Sequence, residues 1–184
     1  MKHLLSLSLF LTILFSGVSS QAQEAAKWTA KPVRATVAAG GTVDVKVTAK
    51  LNDNWHVYSI TPMDEGPVAT EIAFAEGAPL ARTGKIRQPK PVVKYDDAFG
   101  IDTEYFEDDV TFTMTAKVKA SAKPGKQKVV VEVTFMACND RMCLPPNTVE
   151  VPFDITIEAA AAAAGEEIAA DDAEADGALT EVAE

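Results

Sequence analysis

Apolar and polar residues alternate with period two along four long stretches of the chain. Val43, Val45, Val47, Ala49 and Leu51 alternate with threonine and charged residues, and Val110, Phe112, Met114, Ala116 and Val118 alternate with Thr111, Thr113, Thr115 and Lys117. After a Pro124-Gly125 turn signal, Val129, Val131, Val133, Phe135 and Ala137 fall on one face. Val149, Val151, Phe153, Ile155 and Ile157 oppose Glu150, Asp154, Thr156 and Glu158. Successive side chains of a strand point to opposite faces, so each stretch is predicted as a strand with one face on a core and the other in water. Shorter strands are predicted at Trp28 to Val37, His56 to Ile60 and Glu71 to Phe74, with Gly40-Gly41, Pro62 and Gly77 to Pro79 as breaks. No helical period is sustained between them. Seven or so strands in roughly 130 residues predict an all-β, immunoglobulin-like antiparallel β-sandwich, with an up-and-down barrel as the alternative.

The two ends of the 184-residue chain differ from this core. Lys2 and His3 precede an apolar run from Leu4 to Phe15 and a small, polar stretch from Ser16 to Gln23, the order of parts in a secretory signal peptide. The run is short for a permanent membrane anchor. Ser20-Gln21-Ala22 places small residues for cleavage after Ala22, so residues 1–22 are read as the signal. No stable membrane insertion is expected once it is removed. Residues 23–158 form the single expected domain. Residues 159–184 are Ala-rich and acidic, without lysine or arginine, and read as a disordered, solvated tail.

Charge changes the picture only slightly. Loss of Lys2 takes the net charge from −10 to −11, and the tail's eight carboxylates leave −3 on the domain. The acidity is mostly the tail's and argues against nucleic acid as a partner.

The chemistry lies in Phe135-Met136-Ala137-Cys138-Asn139-Asp140-Arg141-Met142-Cys143-Leu144-Pro145-Pro146, which holds both cysteines of the chain. Cys138 is expected to end its strand on the face opposite Val133 and Phe135, with Asn139-Asp140 turning the chain toward Cys143. Reversal there brings the two Cα atoms toward the roughly 4.4–6.8 Å of a disulfide. An exported pair tends to oxidise. As a staple it is weak, because closing a loop of about six residues contributes roughly 2.2 kcal/mol against about 4.7 for a loop of a hundred. Closely spaced thiols also suit reversible exchange, since the second can release a partner bound to the first. The residues alone leave staple and exchange equally open. A third reading is Cu(I) handling by the soft donors Met136, Cys138, Met142 and Cys143, without a histidine in the segment.

The stretch A-C-N-D-R-M-C-L-P-P-N-T-V-E-V-P-F resembles the active-site hairpin of the amino-terminal periplasmic domain of DsbD-type thiol:disulfide interchange proteins. Asn54-Trp55-His56-Val57-Tyr58-Ser59 resembles an early aromatic strand of that family, and Tyr95-Asp96-Asp97-Ala98-Phe99-Gly100 its acidic, aromatic cap loop. The resemblance spans about residues 27 to 158.

It implies an immunoglobulin-like periplasmic module, part of a thiol–disulfide oxidoreductase system, that carries electrons from a thioredoxin-like donor to thioredoxin-like acceptors. No cofactor is implied. Cys143 matches the cysteine that bonds the partner, and Cys138 the one that resolves it. Phe99, or Ala98 if the register slips by one, matches the cap over the pair. Asp96 and Asp97 match acidic neighbours, Asp97 being the candidate proton relay. Trp55, His56 and Tyr58 are expected to supply packing. The loop holds four residues between the cysteines, one fewer than in the best-known members. The chain is expected to act as the terminal module alone, with a separate membrane electron donor.

Overall fold

A computed structural model describes residues 25–160; the expected signal and residues 161–184 of the tail lie outside the described residues. The strands are β1 (Ala26–Pro32), β2 (Thr36–Ala38), β3 (Thr42–Leu51), β4 (His56–Tyr58), β5 (Glu71–Phe74) and β6 (Leu80–Arg82), followed by β7 (Val92–Asp96), β8 (Ile101–Phe106), β9 (Val110–Val118), β10 (Gly125–Phe135), β11 (Ala137–Cys138) and β12 (Asn147–Glu158). They form three four-stranded sheets, ordered β1-β3-β9-β6, β2-β12-β10-β5 and β11-β4-β8-β7.

The four strongly alternating stretches are β3, β9, β10 and β12, and each is an inner strand of its sheet. Their apolar faces meet between the first two sheets: Val45, Val47, Phe112, Met114, Val131, Val133, Phe135, Ile155 and Ile157 are all buried in one core cluster. Their outer faces stay polar and pair across strands, as in the hydroxyl contacts Thr48–Thr111 at 2.8 Å and Thr134–Thr148 at 2.7 Å. Trp28 closes one end of the core, with its ring 5.1 Å from that of Phe135 and 6.1 Å from that of Phe112. The domain is an all-β, immunoglobulin-like sandwich.

Three features depart from the simple two-sheet expectation. The segment Trp28 to Val37 is two strands, because the chain leaves β3 after Pro32 and re-forms as β2, parallel to the end of β12. Proline offers no N–H to extend a ladder, which suits the end of an edge strand. The stretch Val129 to Ala137 is also divided: β10 ends at Phe135, and Ala137–Cys138 pair instead with β4 in the third sheet. That third sheet is the last departure. It is built where the chain runs on from β3 into β4, from β8 into β9 and from β10 into β11, all at one end of the sandwich. Asn54, with φ of 64°, makes the bend between β3 and β4, a backbone conformation that asparagine tolerates better than most residues.

Candidate functional site

Cys138 and Cys143 are joined by a disulfide, and their Cα atoms stand 4.0 Å apart. This is closer than the spacing expected from sequence, and the hydrogen bonds explain it. The Asn139 N–H donates to the Met142 carbonyl and the Leu144 N–H to the Ala137 carbonyl, each at 2.9 Å. The cysteines between them are thus a non-hydrogen-bonded antiparallel pair, the position where facing residues approach most closely. The turn is held by its first residue, as Asn139 Oδ1 accepts from the N–H groups of Arg141 and Met142 at 2.9 and 3.0 Å. Buried Leu144 anchors the returning arm.

The two sulfurs are not equivalent. Cys138 is 2% exposed, whereas Cys143 is only partly buried. Cys138 was expected on the face opposite Val133 and Phe135, and it lies there: Ala137 joins the main core with those two residues, while Cys138 is buried on the other side, because that face is covered where the chain pairs with β4. Cys138 now lies in a small cluster with Tyr58 and Tyr105, against which Phe99, Met136 and Cys143 pack. Met142 is 51% exposed in the turn, so of the two methionines only Met136 joins the buried cluster.

The aromatic, acidic loop expected at Tyr95 to Gly100 is the tip of the β7–β8 hairpin. Asp96 organises it: its carbonyl accepts from the N–H groups of Phe99 and Gly100, and its Oδ1 accepts from that of Ala98 at 2.9 Å. Gly100 has φ of 72°, the left-handed turn that glycine adopts without a steric penalty. The result tucks Phe99 into the sulfur cluster, edge-on to Tyr58 with ring centroids 6.1 Å apart, and leaves Ala98 exposed. Asp97 is exposed and lines an open cleft with Trp55, His56, Lys94, Tyr105 and Asp140.

Three residues read from sequence as packing belong to this site or border it. Tyr58 is fully buried and donates to Asp96 Oδ2 at 2.9 Å. Burial and that bond push its ionisation far up, so it remains a neutral phenol. His56 lies opposite Cys138 in the β4–β11 ladder, with its ring 4.7 Å from that of Tyr105. Burial holds the His56 pKa below its usual value, against the opposing pull of Asp96, Asp140 and Glu107. Trp55 lines the cleft beside it. The signal for His56 and Tyr58 was present in the alternation of His56-Val57-Tyr58, which puts both on one face.

Fold and site together define a class: an immunoglobulin-like domain that presents one hairpin disulfide at the end of its sandwich. The family model described as thiol:disulfide interchange protein DsbD, N-terminal, matches residues 22–155, and the chain belongs to that family. The chain is similar in fold to the N-terminal periplasmic domain of ScsB from Proteus mirabilis, with a TM-score of 0.53 at 17% identity. That match covers 75% of this chain and 49% of the ScsB chain, so the protein spans about half the length of that relative. It also matches the seventh ScaB type I cohesin from Pseudobacteroides cellulosolvens at 14% identity and a TM-score of 0.36, over 74% of this chain and 95% of that one. No curated protein matches in sequence. Among the described residues no helix is long and apolar enough to cross a membrane.

Proposed function

We propose that the protein is an exported, periplasmic exchange module that passes reducing equivalents between thioredoxin-like proteins through Cys138 and Cys143. The observation that carries this reading is the unequal burial of the two sulfurs within one short hairpin. A donor thiolate reaches Cys143, forms a mixed disulfide with it and expels Cys138 as the leaving thiolate. The donor's second thiol then attacks that bond and frees Cys143, leaving both cysteines reduced and the donor oxidised. Toward an acceptor disulfide the steps reverse: Cys143 attacks and Cys138 resolves. The electrons enter from a membrane-bound donor.

Phe99 is the cap in this scheme. It packs on the sulfur cluster while the Asp96 hydrogen bonds hold the tip closed, and a partner must displace it to reach Cys143. Replacing Phe99 by alanine is expected to speed oxidation of the reduced pair by hydrogen peroxide about tenfold, because reactivity follows exposure of the thiolate. Circular dichroism and melting should not change. An unaltered oxidation rate would remove Phe99 from the role.

The exchange reading itself is tested by the reduction potential of the Cys138–Cys143 pair, measured by equilibration with a thioredoxin of known potential. The pair should equilibrate and lie above about −300 mV, the region below which structural disulfides resist cellular thiols. A lower value would make it an inert staple.

A further inference from the structure

His56 and Cys138 are direct partners across β4 and β11, so their side chains share one face of the small sheet. Tyr58, two residues along β4, lies on that face as well, beside its own partner Tyr105 on β8. A phenol has a single proton, and Tyr58 donates it to Asp96 Oδ2 at 2.9 Å. Its oxygen is left to accept. The 3.3 Å contact between His56 Nε2 and the Tyr58 oxygen therefore runs from an Nε2–H to that oxygen. In a neutral imidazole this leaves Nδ1 unprotonated and able to take a proton.

The site has a use for such a group. To resolve a mixed disulfide, Cys138 must react as a thiolate, yet it is 2% exposed among aromatic rings, where a charged form is disfavoured. Bulk water has little access to its proton. The charged groups acting on His56 are Asp96 and Lys94 from β7, Glu107 just beyond β8 and Asp140 from the cysteine turn, with the neutral phenols of Tyr58 and Tyr105 beside the ring. Burial outweighs the three carboxylates, so the ring stays neutral and receptive at neutral pH.

We propose that His56 is the base that removes the Cys138 thiol proton during resolution, with Tyr58 and Asp96 as positioning residues that fix its tautomer. The proposal rests on the exchange reading above. In the step, His56 Nδ1 takes the proton from Cys138 Sγ, and the thiolate attacks Cys143 Sγ of the mixed disulfide. The Cys138–Cys143 bond forms as the bond from Cys143 to the partner breaks. The partner sulfur leaves with the electron pair and receives a proton from the imidazolium. The cysteine pair loses two electrons, and the partner disulfide gains them.

The test uses the reduced full chain and stoichiometric 4,4′-dithiodipyridine, a disulfide probe that reports thiols in acid as well as neutral solution. Capture by Cys143 releases the first thiopyridone in a concentration-dependent phase; resolution by Cys138 releases the second in a phase independent of concentration. The second rate should rise with pH through an inflection below 6.5 and then level off, since protonated His56 cannot accept. The inflection should coincide with the His56 titration followed by NMR, which should also show the Nε2–H tautomer. His56→Gln should lose the inflection and slow the second phase about 100-fold at neutral pH, the usual order for a positioned base, without changing the first. A wild-type profile lacking an inflection at the His56 titration overturns the proposal even if the variant fails to fold, and so does a folded variant with the wild-type profile. Absence of any second phase in the wild type removes the exchange reading, and the proposal with it.

Discussion

A Cys138→Ala chain is expected to accumulate a stable mixed disulfide through Cys143 with an oxidised thioredoxin-like partner, near one adduct per chain. The partly buried Cys143 can still attack, but no second thiol stands beside it to finish the exchange. Release then depends on an external thiol. Well-oriented intramolecular groups act at effective concentrations of about 10⁵ M or more, so millimolar glutathione should release the partner at least about a thousandfold more slowly. The reciprocal Cys143→Ala chain leaves only Cys138, which is 2% exposed, and should form little adduct. Equal capture by both variants, scored by non-reducing gels and mass spectrometry, would refute the division of labour between the sulfurs. Capture by neither would refute exchange.

Phe135→Ala is expected to lower stability by about 3–5 kcal/mol, the usual cost of removing a buried phenylalanine. Phe135 ends β10, is fully buried and packs against Trp28 with ring centroids 5.1 Å apart. Its outer-face neighbour Thr134 faces Thr148 on one side and Glu71 on the other, away from the core, so Thr134→Ala should cost less than about 1 kcal/mol. Against a total of roughly 5–15 kcal/mol for a domain, the first change brings the chain close to unfolding. Urea titration should show the midpoint falling with little change in slope. Similar losses from the two variants would contradict the inward and outward faces described for β10.

The long strands were legible for a simple reason. In β3, β9, β10 and β12 one face rests on the core while the other stays more exposed, with buried residues at every second position over seven residues or more. β7 carries no such record. Val92, Val93, Lys94 and Tyr95 are all exposed, and the strand exists because β8 pairs with it. The short strands β6 and β11 likewise take their identity from partners rather than from a pattern of their own.

The cysteine hairpin was legible because it is local: two cysteines, a turn-forming asparagine and a four-residue loop specify a reversal without help from the rest of the chain. The likeness to the interchange family identified Phe99 over Ala98 as the first choice for the cap, and Phe99 packs on the sulfur cluster while Ala98 is exposed.

By itself, then, the sequence determined a β-sandwich, its principal strands and a disulfide hairpin, all of them set by spacings of a few residues. Only the tertiary structure decided which sulfur is buried and what surrounds it. Cys138 kept the face opposite Val133 and Phe135, but the crossing of the chain into the third sheet covered that face and set Cys138 opposite His56. The hydrogen bond from Tyr58 to Asp96 joins residues 38 positions apart. No local alternation encodes such a contact, because it depends on where two separate strands are brought together by a core they share.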